Sequence, residues 1–164
     1  MVALDIVNEN RKSVKIRSSE IKNILEMKED IEICQDISDT IKEKDVFVFD
    51  CQLERRIFAL KSEIEAMIME TLGEAVPEED GGIYFQDVSY YIKALSDEIE
   101  EEIQEEYIFD NVRCHFSIYN VSQNFDDFKF VFIVAFKDID IHKLNSIADV
   151  VANRLLRGKS KFYS

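Results

Sequence analysis

The sequence predicts an α+β fold: a single domain with a mainly antiparallel sheet and a C-terminal β-hairpin, packed by two long central helices and a C-terminal helix. Three observations carry that prediction. Short alternating segments fill the first fifty residues, a helical apolar period runs from Leu53 to Tyr107, and strand-like alternation returns at Val112 ahead of a last amphipathic stretch. At 164 residues and 46% hydrophobic, the chain can bury one core and does not demand two, so residues 1–164 are expected to form one unit.

Val2–Val7 and Ser13–Arg17 read as strands around the polar turn Asn8–Lys12, an N-terminal hairpin. Ser18 or Ser19 then offers an N-cap to a helix reaching about Lys28, with Ile21, Ile24 and Leu25 inward. Ile31–Cys34 is a short strand, and Ile37 and Ile41 mark one face of a brief helix. Val46-Phe47-Val48-Phe49 is apolar on both strand faces, which predicts a central strand covered on each side.

From Leu53 the apolar residues Ile57, Leu60, Ile64 and Met67 follow a four-three spacing up to Thr71, so a helix of about twenty residues is expected, stopped by Gly73. Residues 74–82, with the only Pro and two adjacent Gly, read as a loop. A second helix, from about Gln86 to Tyr107, turns Val88, Ile92, Leu95, Ile99 and Ile103 inward and could pack antiparallel to the first. In the segment Val112–Val121, Cys114, Phe116 and Ile118 share one face and Arg113, His115, Ser117 and Tyr119 the other, so one face is expected to meet water. Ser122–Asp127 is turn-like, and Phe128–Phe136 is a nearly continuous apolar strand between Lys129 and Lys137. Asp138 or Asp140 can cap a final helix with the stripe Ile141, Leu144, Ala148, Val151 and Leu155 and a basic end at Arg154, Arg157, Lys159 and Lys161.

Charge is the feature that points beyond the fold. Between Ser62 and Val112 stand 16 Asp or Glu and one Lys, a local charge of −15, while the rest of the chain sums to +1 and the whole to −14. Such a protein repels nucleic acid and anionic membrane, and its natural partners are basic surfaces. Asp97, Glu98, Glu100, Glu101, Glu102, Glu105 and Glu106 crowd seven carboxylates into ten residues. At about 1.5 Å per residue that is roughly one negative charge per 2 Å, comparable with about one per 1.7 Å along duplex DNA. Four like-charge pairs stand four residues apart in this run, together unfavourable by roughly 1 to 2 kcal/mol. Glu105 and Glu106 also lie at the helix end where the macrodipole disfavours anions, with no Lys or Arg to relieve them locally. Selection for a cationic partner accounts for this arrangement better than helix formation does, and the plainer reading is a solvated face. Glu78, Glu79 and Asp80 would extend the anionic surface if their loop folds toward the helix. They lack the ligand alternation of a calcium loop and are read as a turn.

Catalytic signatures are not found. Cys34, Cys51 and Cys114 form no Cys-x-x-Cys pair and are read as reduced, mostly packed thiols, against a disulfide framework or zinc site. His115 or His142 beside a cysteine could activate it, but Cys114 and His115 point to opposite strand faces and no oxyanion motif accompanies them. No glycine-rich phosphate loop exists among four glycines, and no metal or cofactor is expected. No run approaches the roughly 18 to 20 apolar residues of a membrane span and no leader pattern opens the chain, so a cytoplasmic protein is expected.

The reading these residues favour is a non-enzymatic acidic binding protein that inhibits or occupies a basic surface of another protein, such as a nucleic-acid-binding enzyme, without binding nucleic acid or membrane itself. By class analogy it would mimic nucleic acid as phage anti-defence and bacterial nuclease immunity proteins do. The partner-binding residues would be Asp97, Glu98, Glu101, Glu102, Glu105, Glu106, Glu78, Glu79 and Asp80, with anchors among Tyr84, Phe85, Tyr90 and Tyr107. One alternative is a homo-oligomeric scaffold whose acids serve only solubility. Another is a small ligand-binding domain or enzyme using the Arg113–Tyr119 strand face.

Overall fold

Leu4, Ile6 and Ile16 alternate with polar residues, and they are buried on one face of an antiparallel hairpin, β1 (Ala3–Val7) and β2 (Ser13–Arg17), in which Leu4 pairs with Ile16. Asn8 makes the turn: its buried side-chain oxygen accepts the N–H groups of Asn10 (2.9 Å) and Lys12 (3.0 Å), while Arg11 takes φ 61°. These contacts come from a computed structural model, which describes residues 2–53, 81–121 and 128–163. The helix expected to run on from Leu53, its stop at Gly73, the acidic residues Glu78, Glu79 and Asp80, and the turn at Ser122–Asp127 lie outside the described residues.

β2 passes directly into α1 (Ser18–Glu26), which buries Ile21 and Leu25. Neither serine is the cap. Arg17 occupies the N-cap position, its N–H donating to Glu20 at 3.3 Å, and Ser18 is already helical. The Ser18 hydroxyl instead accepts the Val2 N–H at 2.9 Å and donates to Asp36, tying hairpin to sheet.

Four strands form the larger sheet: β3 (Ile31–Asp36), β4 (Val46–Leu53), β5 (Arg113–Val121) and β6 (Phe128–Ala135), antiparallel in the order β3-β4-β6-β5. The N-terminal hairpin forms a separate two-stranded sheet. β2 runs directly into α1, whose Ile21 and Leu25 pack on one face of the larger sheet. The brief helix at Ile37 and Ile41 is a single 3-10 turn, Ser38–Thr40. Leu53, expected to open a helix, ends β4, fully buried and paired with Ile31.

α2 (Gly81–Tyr107) starts five residues before the expected Gln86, so Gly81 and Gly82 belong to the helix rather than the preceding loop. α3 (Ile141–Tyr163) is capped by Asp140, whose carboxylate accepts the His142 N–H at 2.8 Å. Among the described residues the chain is therefore α+β, with three α-helices and two antiparallel sheets.

Strand alternation divides the core in two. Phe47, Phe49, Cys51 and Leu53 of β4 join Phe128, Phe130, Phe132 and Val134 of β6 on the face covered by α1, α2 and the hairpin. Val46 and Val48 join Val131, Ile133 and Ala135 on the other face, under Leu144, Ala148 and Val151 of α3. β4 is thus the central, doubly covered strand that its apolar run predicts. Five phenylalanines, Phe47, Phe49, Phe128, Phe130 and Phe132, are fully buried, each stabilising the fold by about 1.5 to 3 kcal/mol. Both faces of β5 are partly covered, since both α2 and α3 pack against it, and Arg113 stays exposed. Cys114, Phe116 and Ile118 meet the first core and Tyr119 the second.

Candidate partner-binding face

α2 is docked by one side. Val88, Ile92, Leu95, Ile99 and Ile103 are buried at helical spacing, together with Ser96. The opposite side carries Asp97, Glu98, Glu101, Glu102, Glu105 and Glu106, all exposed, with Glu100 half-buried between the two. Tyr90, 75% exposed, lies seven and eleven residues before Asp97 and Glu101 and so shares their stripe.

These carboxylates are not equivalent. The Lys28 ammonium, just beyond α1, reaches Glu98 at 3.0 Å and Glu102 at 2.7 Å. Burial opposes its charge, but the hydrogen bonds it donates to Glu102 and Glu98 outweigh burial and hold its pKa above 10.5. Lys93 pairs with Asp97 at 2.7 Å, one turn away. Glu100 turns toward the sheet, where its Oε1 accepts the Cys114 N–H of edge strand β5 at 2.8 Å. Glu101, Glu105 and Glu106 have no cation within 4.0 Å among the described residues. The run therefore divides into three lysine-matched acids, one structural acid and three unmatched ones toward the helix end.

Tyr107, at the end of α2, is half-buried. Its ring meets Phe136 edge-on at a centroid distance of 6.5 Å, and its hydroxyl donates to Glu20 at 3.1 Å. Burial, and then the Glu20 carboxylate, push its pKa up, so it stays a neutral phenol that fastens the end of α2 to α1. Of the exposed aromatic candidates with described side chains, Tyr90 is the one on the acidic stripe. Gln104 completes the helix end, donating to the carbonyls of Asp110 (3.1 Å) and Val112 (3.4 Å).

The alternative face on β5 is occupied by the protein itself. Arg113 pairs with Asp138 at 3.0 Å, and the Tyr119 hydroxyl donates to Asp50 at 2.6 Å. Burial lowers the pKa of His115, which bonds Asn145 of α3. A cavity of about 450 Å³ opens elsewhere, between β1 and the start of β4, lined by Val2, Leu4, Ser38, Ile41, Lys44 and Phe47 among others. A smaller one, of about 240 Å³, touches Arg113 alone of that face, beside Glu100 and Gln104. At the basic end of α3, Arg154 donates to the Thr40 carbonyl at 2.8 Å. Among the described residues no three His, Cys, Asp or Glu side chains could gather a metal ion, and no helix is long and apolar enough to cross a membrane.

Sequence reasoning missed Lys28 and Glu20, because each meets α2 from a distant part of the chain. No family model matches the chain, and no curated protein or solved structure matches it.

Proposed function

We propose that the protein is a non-enzymatic binding protein that occupies a basic surface of another protein through the outer side of α2. The observation that carries this reading is the division of the acidic run. Two lysines answer Asp97, Glu98 and Glu102, whereas Glu101, Glu105 and Glu106 stand exposed without a cation among the described residues. Unmatched carboxylates near a helix C-terminus are held against both their mutual repulsion and the macrodipole, and a cationic partner removes both penalties on binding. Tyr90, exposed on the same stripe, supplies an aromatic anchor of the kind that dominates interface energetics. The anionic stripe steers encounter and the anchor lengthens the contact. A charge spacing near that of duplex DNA makes a nucleic-acid-handling protein the favoured class of partner, with α2 in place of the phosphate backbone.

The test is affinity capture from the native host, with the triple substitution Glu101→Gln, Glu105→Gln and Glu106→Gln and with Tyr90→Ala as comparisons. A basic protein should be captured at low salt, lost at about 0.5 M salt, where charges are screened beyond a few ångströms, and displaced by added duplex DNA. The triple variant should fold normally and capture little. Undiminished capture by it would refute the reading.

A further inference from the structure

Cys34 and Cys51 are direct cross-strand neighbours in the β3–β4 pair, and the Cys51 thiol donates to the Cys34 sulfur at an Sγ–Sγ distance of 3.8 Å. The backbone register imposes this approach. The Ile37 N–H bonds the Val48 carbonyl at 3.0 Å. Bonded and non-bonded positions alternate along an antiparallel ladder, so Gln35–Asp50 falls on a bonded position and Cys34–Cys51 on a non-bonded one. Opposing Cα atoms there lie about 4.5 Å apart, inside the roughly 4.4 to 6.8 Å range a disulfide can span and near its short end.

The two sulfurs differ in access. Cys51 is 1% exposed, packed in the core beneath α1 and α2, whereas Cys34 is half-buried on the edge strand. Burial, reinforced by Cys34, pushes the Cys51 thiol well up, and its sulfur is closed to reagents in solution. Cys114 lies on β5, at the opposite edge of the sheet.

We propose that Cys34 and Cys51 form a reversible dithiol–disulfide pair that fastens edge strand β3 to β4, with a small disulfide of the glutathione type as oxidant. The Cys34 thiolate attacks one sulfur of oxidised glutathione; that S–S bond breaks and one glutathione leaves as thiolate, giving a mixed disulfide. One departing glutathione thiolate takes up the Cys51 proton as Cys51 attacks the Cys34 sulfur, and the other is protonated by solvent, which received the Cys34 proton. Two protein thiols are oxidised and one glutathione disulfide is reduced to two thiols. Excess reduced glutathione reverses both exchanges and reopens the bridge.

The test uses the full folded chain in glutathione buffers graded from reduced to oxidised, followed by acid quenching, alkylation in denaturant and peptide mass mapping. The count of free thiols should fall from three to one, with a Cys34–Cys51 linked peptide that disappears on return to reduced buffer. Cys114→Ser should behave like the parent, and Cys51→Ala should stop at a single glutathione on Cys34. If Cys51→Ala fails to fold, the parent and Cys114→Ser still decide the matter by the identity of the linked peptide. Three thiols persisting in the oxidised buffer, a glutathione adduct on Cys34 that never resolves, or linkage through Cys114 or between chains would each overturn the proposal.

Discussion

The Lys28 ammonium lies 2.7 Å from the Glu102 carboxylate, joining the end of α1 to a residue of α2 74 positions further along the chain. The same ammonium reaches Glu98 one turn earlier, so one cation sits between two like charges that would otherwise repel along α2. It is also an anchor, since 16% of the lysine side chain is exposed against about half or more of each glutamate.

Replacing Lys28 by Met should therefore lower stability by about 0.5 to 1 kcal/mol at low salt and by less at high salt, where screening relieves Glu98 and Glu102. Because the folded-state pKa of Lys28 is raised above 10.5, its contribution is full below that value and disappears as pH rises through the folded-state value. Urea denaturation of parent and K28M at two salt concentrations, and at pH 7 and above 11, measures both. Equal midpoints at low salt and neutral pH would show that the bridge contributes nothing.

Glu100 and Glu101 are adjacent acids with opposite expected effects. Glu100 satisfies the outward N–H of Cys114 on the open edge of β5, so Glu100→Ala should destabilise by about 1.5 kcal/mol, the scale of a charge-assisted hydrogen bond. Glu101→Ala should be neutral or slightly stabilising, since it removes repulsion with Asp97 and Glu105 at about 0.2 to 0.5 kcal/mol each. Denaturation midpoints of the two variants give the comparison, and matching losses would contradict the assigned roles.

Asp36 should contribute to acid sensitivity. Burial acts to raise its pKa, but hydrogen bonds from the Ser18 hydroxyl and from Ser38, including its N–H at 3.0 Å, outweigh burial and hold the carboxyl below 3.8. The folded-state value is depressed, so this contribution is present above 3.8 and lost as pH falls through the folded-state value. Stability measured by thermal unfolding should drop as pH falls below about 4, with Asp36→Asn starting lower and falling less steeply. Parallel pH profiles for D36N and parent would remove Asp36 from the acid transition.

What the sequence discloses and what it hides follows from how far each interaction reaches. Val46–Phe49 is legible as a central strand because apolar residues on both faces suit only a position covered twice. The docked side of α2 is legible because five apolar residues repeat at the helical period. Leu53 misleads for a symmetrical reason: one apolar residue fits the end of a strand and the start of a helical stripe equally well. The contacts of Tyr107 are hidden in the sequence because Phe136 and Glu20, which it meets, are distant along the chain. Lys28, too, becomes a partner of the acidic helix only once α1 is folded onto α2.

The seam between β4 and β6 sets an order of events for the whole molecule. β3 with β4, and β5 with β6, are neighbours along the chain, but Val46 must find Ala135 to join them. During synthesis β4 leaves the ribosome well before its mate exists, and its phenylalanines wait uncovered meanwhile. Closing so long a loop makes this step the natural bottleneck in reaching the native state. A nascent or truncated chain lacking β6 would present a bare, oily ribbon edge, which is where chaperone recognition or aggregation would begin.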